Sequence, residues 1–115
     1  VTKPIYQLKA QFFKTLGHPA RIKVLEVLAA GPRSVSDLQP EVGIESSHLS
    51  QQLAVLRKAG IVTATRQGSS MIYSVTDPQV LELLTGAKQI ITTSLTSAGE
   101  LLAELDAIDY GLSDA

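Results

Sequence analysis

Glu45-Ser-Ser-His-Leu-Ser-Gln-Gln-Leu-Ala-Val-Leu-Arg-Lys-Ala-Gly60 is the stretch on which the fold turns. Leu49, Leu53 and Leu56 recur at steps of four and three, the spacing of one helical face. Ser46 or Ser47 suits the start of this helix as a cap, and Gly60 suits its end as a left-handed residue. At about 100° per residue, Ser47, Gln51, Ala54 and Lys58 fall opposite the leucines, flanked by His48, Ser50 and Val55. That outer side is short, polar and uncharged except at its C-terminal end. A face that only has to meet water more often carries Glu and Lys. Short hydroxyls, an amide and a small Ala permit close approach to base edges, where Gln bonds adenine twice and Ser donates or accepts. The plainer alternative is a solvated face that happens to lack charge.

The residues beyond Gly60 favour contact with bases. Residues 61–66 are rich in β-branched side chains and alternate, Gln67-Gly-Ser-Ser70 reads as a turn, and Met71-Ile-Tyr-Ser-Val75 alternates again. A helix running straight into such a hairpin is the winged-helix arrangement. Upstream, Ser34 or Ser36 can cap a short helix with Val35 and Leu38 turned inward, and residues 40–45 read as the turn into the 45–60 stretch. Pro19 opens another helix, with Ile22, Val24, Leu25, Val27 and Leu28 on its inner side and Gly31-Pro32 to stop it. Ile5, Leu8, Phe12, Phe13 and Leu16 give a first helix ending at Gly17, with more apolar positions than one inner stripe needs.

The chain resembles the ArsR/SmtB-type bacterial transcriptional regulators. The residues that carry the resemblance are Phe13-Lys-Thr-Leu-Gly-His-Pro-Ala-Arg-Ile-Lys-Val-Leu25, Ser36-Asp-Leu38, residues 46–62, and Arg66-Gln-Gly-Ser-Ser-Met-Ile-Tyr73, in that order. It implies a mainly α fold with a small β-hairpin wing, a winged helix-turn-helix in the order α-α-α-α-β-β-α, dimerising through its first and last helices. It also implies a cytoplasmic, sequence-specific DNA-binding transcription regulator, a homodimeric repressor on an imperfect palindrome of double-stranded DNA. On this reading Ser46, Ser47, His48, Ser50 and Gln51 meet bases, while Arg57 and Lys58 hold phosphates. Arg66, Gln67, Gly68 and Ser69 form the wing tip, where Arg66 enters a minor groove or grips phosphate. A winged-helix module that binds another protein is the alternative for the same fold.

Composition bounds the rest. The 115 residues suit one domain over residues 1–105, with 106–115 as a flexible acidic tail. Aromatic residues are 4% of the chain, so the core is expected to be aliphatic. There is no Cys, which excludes disulfides, zinc-thiolate sites and thiol redox sensing. No membrane span or signal peptide is expected. The net charge of −1 hides an asymmetry: residues 1–75 hold nine Lys/Arg and four acids, while residues 76–115 hold one Lys and seven acids. Phosphate attraction is local, so the sign of the first segment matters more than the total. No nucleophile–base pair, Gly-rich phosphate loop or metal triad supports an enzyme.

Two metal sites of the family lack their ligands. Ser34 and Ser36 stand at the two Cys positions, and hydroxyls are poor ligands for soft metals. Asp77 matches the second site near the start of the last helix, but Gln79 replaces its His and no His occurs beyond it. Asp77-Pro78 itself is a helix start. Val80, Leu84, Ala87, Ile91, Ala98, Leu101 and Leu105 then come at steps of three, four or seven. Leu83, Ile90 and Leu102 widen that stripe beyond what one surface covers. His18 reads as a metal ligand or, more simply, as a residue bonded to backbone at the helix start. Arg21 reads as half of a structural ion pair. No cofactor is required by this pattern. The effector stays open among a divalent metal such as nickel or zinc on carboxylates and His18, a small organic molecule in the dimer crevice, and a protein co-regulator.

Overall fold

The structure is a computed structural model that describes residues 3–113, with side chains through residue 105. In chain order it forms α1 (Ile5–Leu16), α2 (Pro19–Leu28), β1 (Arg33–Ser34), α3 (Val35–Val42), α4 (Ser46–Lys58), β2 (Val62–Gln67), β3 (Ser70–Val75) and α5 (Gln79–Ser113). Two compact units divide it, Val1–Leu81 and Glu82–Ala115.

The core of the first unit is aliphatic, as the composition requires. Val24, Leu25 and Leu28 of α2, Leu38 of α3, Leu49, Leu53 and Leu56 of α4, and Ile61 and Val62 at the hairpin base are all buried. On α1 only Thr15 and Leu16 are buried, while Ile5, Tyr6, Leu8 and Phe13 stay exposed. Most of the apolar surplus of α1 therefore remains unspent inside the unit.

Each helix start and stop has a local cause. His18 sits at the N-cap of α2, where its Nδ1 accepts the Ala20 N–H at 3.2 Å, and Pro19 takes the first position. His18 is thus bonded to backbone, the simpler of its two readings. Ser34 caps α3 by accepting the Asp37 N–H at 3.2 Å. Local pattern ends this helix early and gives Pro40 to the turn, but α3 runs on to Val42 with Pro40 inside it. Proline's missing N–H leaves one carbonyl over, that of exposed Ser36. Fully buried Leu38 holds the helix together, and Gly43 closes it at φ 78°.

The start of α4 also differs from expectation. Neither Ser46 nor Ser47 is the cap. Glu45 takes that position without a side-chain bond, and its carbonyl accepts the Leu49 N–H at 2.9 Å. The register that buries Leu49 sets the start, so both serines fall inside the first turn and stay exposed. The end of α4 is a Schellman turn. Gly60, at φ 77°, donates its N–H to the Arg57 carbonyl at 3.0 Å, and Ile61 donates to the Leu56 carbonyl at 2.9 Å. Ile61 and Leu56 are both buried, which supplies the apolar contact that accompanies this turn.

The chain then enters the hairpin. β2 and β3 pair antiparallel from Val62↔Val75 to Gln67↔Ser70. Gln67 and Ser70, expected in the turn, are the last pair of the ladder, so the loop is Gly68-Ser69, with Gly68 at φ 62°. A third strand, not expected from sequence, joins the outer edge of β3 and gives the order β1-β3-β2. It is only Arg33–Ser34, pairing with Tyr73 and Ile72. So short a strand leaves no periodic signal, and only the approach of β3 makes it one.

In α5, Asp77 Oδ1 accepts the Gln79 N–H at 2.9 Å. The Thr- and Ser-rich residues 92–97 remain helical. Ile90, Ile91, Leu95, Leu101, Leu102 and Leu105 are exposed. The backbone of α5 continues to Ser113, and the side chains of the acidic tail at 106–115 lie outside the described residues.

Leu53 has no solvent exposure. Truncating it to Ala is expected to lower stability by about 3 kcal/mol through lost burial and the void left behind, read as a fall in the urea midpoint.

Candidate nucleic-acid interface

The burial of α4 divides it cleanly. Leu49, Gln52, Leu53 and Leu56 are buried. Ser46, Ser47, Ser50, Gln51, Ala54, Arg57 and Lys58 are exposed, and His48 is half-buried. Every α4 residue predicted from sequence to meet DNA therefore lies outside the core. The neutral part of the face occupies the N-terminal turns, where main-chain N–H groups also point outward along the axis. Arg57 and Lys58 fall in the last turn, where cations complement the helix dipole.

The turn that aims this helix is braced. Gly43 adopts the left-handed conformation at the end of α3 and donates its N–H to the Gln39 carbonyl at 2.9 Å. The Gln39 side chain reaches across the turn, its Nε2 donating to the Ile44 carbonyl at 2.9 Å. Helix, left-handed glycine and helix in this order form the helix-turn-helix.

A polar clasp lies behind α4, and sequence reasoning missed it. Gln52 is only 6% exposed, and its Oε1 accepts the Arg21 Nε–H at 2.7 Å. Arg21 Nη1 donates to the Thr15 carbonyl at 3.0 Å. One guanidinium thus joins α2 to the end of α1 and to the inner side of α4. The ion pair expected for Arg21 is replaced by an amide and a carbonyl, neutral acceptors that avoid burying a second charge. A signal existed: Gln52 falls among Leu49, Leu53 and Leu56 on the inner face, and a polar side chain there demands a partner.

Two histidines also meet. The rings of His18 and His48 lie 6.2 Å apart, edge to face at 73°. His18 spends its Nδ1 lone pair on the α2 cap, so its neutral form carries the proton on Nε2. Among the described residues, no group of three or more His, Cys, Asp or Glu is placed to hold a metal. Ser34, at a position where the family resemblance implies Cys, is engaged in capping α3. Gln79, where the family resemblance implies His, is exposed at the start of α5.

The wing presents Arg66, Gln67, Gly68 and Ser69 exposed around its two-residue loop, Arg66 standing opposite Met71 in the ladder. Its stem is tied by a hydrogen bond of 3.2 Å between the Thr63 and Ser74 hydroxyls. A braced helix, a rigid turn and a cationic hairpin tip on one unit make a surface suited to a duplex.

Comparison with known proteins agrees. A model described as "Bacterial regulatory protein, arsR family" matches residues 18–64, which hold α2, α3 and α4. An uncharacterised HTH-type transcriptional regulator of Mycobacterium tuberculosis, Rv0081, is 50% identical over 107 residues, covering 92% of this chain and 94% of the relative. The chain belongs to the ArsR family of bacterial regulatory proteins.

The crystal structure of Rv0081 superposes with a TM-score of 0.77 at 52% identity, over 84% of this chain and 98% of that one. A biofilm growth-associated repressor of Xylella fastidiosa is 37% identical over 73% of this chain and 74% of its own length. A homodimeric winged helix-turn-helix DNA-binding domain from Mycobacterium bovis matches at 25% identity with a TM-score of 0.71, over 79% of this chain and 84% of that one. This ArsR-family chain is accordingly a DNA-binding transcription regulator, and its relatives are regulators rather than enzymes. Among the described residues, no helix is long and apolar enough to cross a membrane.

The clasp generates a quantitative expectation. Arg21→Met strands the buried Gln52 amide and is expected to cost about 1–3 kcal/mol in urea unfolding. Arg21→Met with Gln52→Leu removes both partners and recovers part of that loss, because no orphaned polar group remains.

Proposed function

We propose that the chain is a cytoplasmic, sequence-specific repressor that acts as a homodimer on an imperfect palindrome. Two copies of α4, related by a two-fold axis, enter successive major grooves. Ser46, Ser47, His48, Ser50 and Gln51 contact bases. Arg57, Lys58 and the wing residues Arg66, Gln67, Gly68 and Ser69 hold the backbone on either side. The observation that carries this reading is the outward face of α4, small and uncharged over its first turns and cationic only in its last.

Exposed apolar residues support the dimer. Ile5, Tyr6 and Phe13 on α1 are each more than half exposed, and Ile90, Leu95 and Leu102 on α5 are at 69%, 68% and 60%. Surfaces of this kind on two helices of a small chain are suited to a second copy. DNA binding needs no cofactor on this reading.

Gel shift on the DNA upstream of the chain's own gene, run with a chelator present, tests the proposal. Ser47→Ala and Gln51→Ala together are expected to weaken operator binding by about 10- to 100-fold while leaving nonspecific binding unchanged. Lys58→Ala and Arg66→Ala should instead weaken all duplexes alike, each lowering the salt slope by about one per subunit. Full specificity retained by the Ser47/Gln51 variant would remove α4 as the reading helix.

Ile90→Glu with Leu95→Glu is expected to give a monomer in sedimentation at micromolar concentration and to abolish tight operator binding. A protein that stays dimeric with both charges in place would show that α5 does not form the interface.

A further inference from the structure

Within the first unit, α1 and the C-terminal half of α4 leave a half-open cavity of about 430 Å³ between them. Its walls are Leu8 and Phe12 of α1, Val55 of α4, and Ile61 just beyond the Schellman turn. Besides Thr15, two polar side chains line it, Gln11 from α1 and Lys58 from the last turn of α4. Neither side chain has a hydrogen-bond or ion-pair partner among the described residues. The Thr15 hydroxyl, also on the lining, already donates to the Gln11 carbonyl at 3.0 Å.

The size falls in the range of small-molecule sites, and so does the composition, apolar walls with few polar groups to fix orientation. Chemistry narrows the occupant. A neutral hydrocarbon leaves the Lys58 ammonium without a counter-charge. An inorganic anion satisfies Lys58 but leaves the apolar walls wet. A polyphosphate finds one cation where it needs several. A carboxylate or sulfonate on an apolar body matches both parts of the site at once. The apolar residues of α1 that point away from the unit, Ile5, Tyr6 and Phe13, do not line the cavity. The concave site is thus distinct from most of the apolar surface offered to a second copy.

We propose that this cavity binds a small organic anion with an apolar body, its acid group on Lys58 and its body against Leu8, Phe12, Val55 and Ile61, and that binding lowers affinity for the operator. The coupling rests on the assignment of Lys58 to the duplex face. One ammonium cannot serve a bound acid and a phosphate equally, so the ligand has unequal affinity for the free and DNA-bound states. The cavity also opens beside the clasp, because the α1 segment that lines it ends at the Thr15 carbonyl held by Arg21, the residue that holds Gln52 of α4. A molecule filling the gap bears on the same joint that sets the recognition helix.

The test uses the full chain and a dye with a sulfonate on an apolar body, anilinonaphthalene sulfonate, displaced by decanoate or by decanol. Decanoate is expected to displace the dye at about tenfold lower concentration than decanol. Lys58→Gln should erase most of that preference. Ala59→Leu, which fills the cavity from the end of α4, should weaken dye and decanoate alike, with Leu8→Trp as a second filling variant and circular dichroism to check that each folds. Decanoate should raise the protein concentration needed to shift the operator for the natural chain but not for a filled variant. Equal displacement by decanoate and decanol, or undiminished dye binding in both filled variants, overturns the proposal. Dye uptake that appears only as dimers dissociate on dilution overturns it too, and assigns the cavity to a second copy. Operator binding without decanoate tests the regulator reading separately, so a chain that binds its operator and ignores decanoate loses only the ligand site.

Discussion

Leu49, Leu53 and Leu56 lose all contact with solvent, and that burial decides which side of α4 is left outside. A helix has one rotational setting that puts three such side chains into the core together, and each is worth a few kcal/mol there, about 2–5 if truncated. Once they are in, Ser47, Gln51, Ala54 and Lys58 have no choice but to face outward. The first turn, the Schellman end and the entry into β2 result from the same setting. Ile61 packs inside next to Leu56, and the hairpin begins one residue later.

Arg21 and Gln52 sharpen what the leucines impose. Apolar packing resists rotation of α4 but tolerates small slips, because aliphatic side chains repack. A buried amide oxygen held at 2.7 Å does not. The guanidinium also reaches the Thr15 carbonyl, so α1, α2 and α4 share one fixed point. The Gln39 bond across the turn supplies a second, at the other end of α4. The proposed reading of base edges by α4 calls for rigidity of this kind more than for extra stability.

Function divides along the charge asymmetry. The first unit carries most of the cations and the proposed duplex face. The second contains most of α5, with apolar side chains exposed along its length. Ser34, Ser36 and Gln79 stand where the family resemblance implies metal ligands, and Ser34 caps α3. If the proposed cavity holds its organic anion, control through a thiolate or imidazole site is replaced by control through an apolar pocket with a single ammonium.

The sequence by itself determined the elements with long periodic signals: α1, α2, α4, the hairpin, the aliphatic core, and the polar outer face of α4. Steps of three and four, alternation of two, and glycines such as Gly60 and Gly68 at element ends are local properties, readable wherever they occur. Tertiary structure alone decided the rest. Pro40 stays in α3, a helix anchored in the core by Leu38, Arg33–Ser34 is a strand because β3 lies beside it, and His18 meets His48 across two helices. Arg21 finds Gln52, thirty-one residues away, for the same reason. Each of these depends on a partner distant in the chain, and no pattern within one segment records which distant residue will arrive.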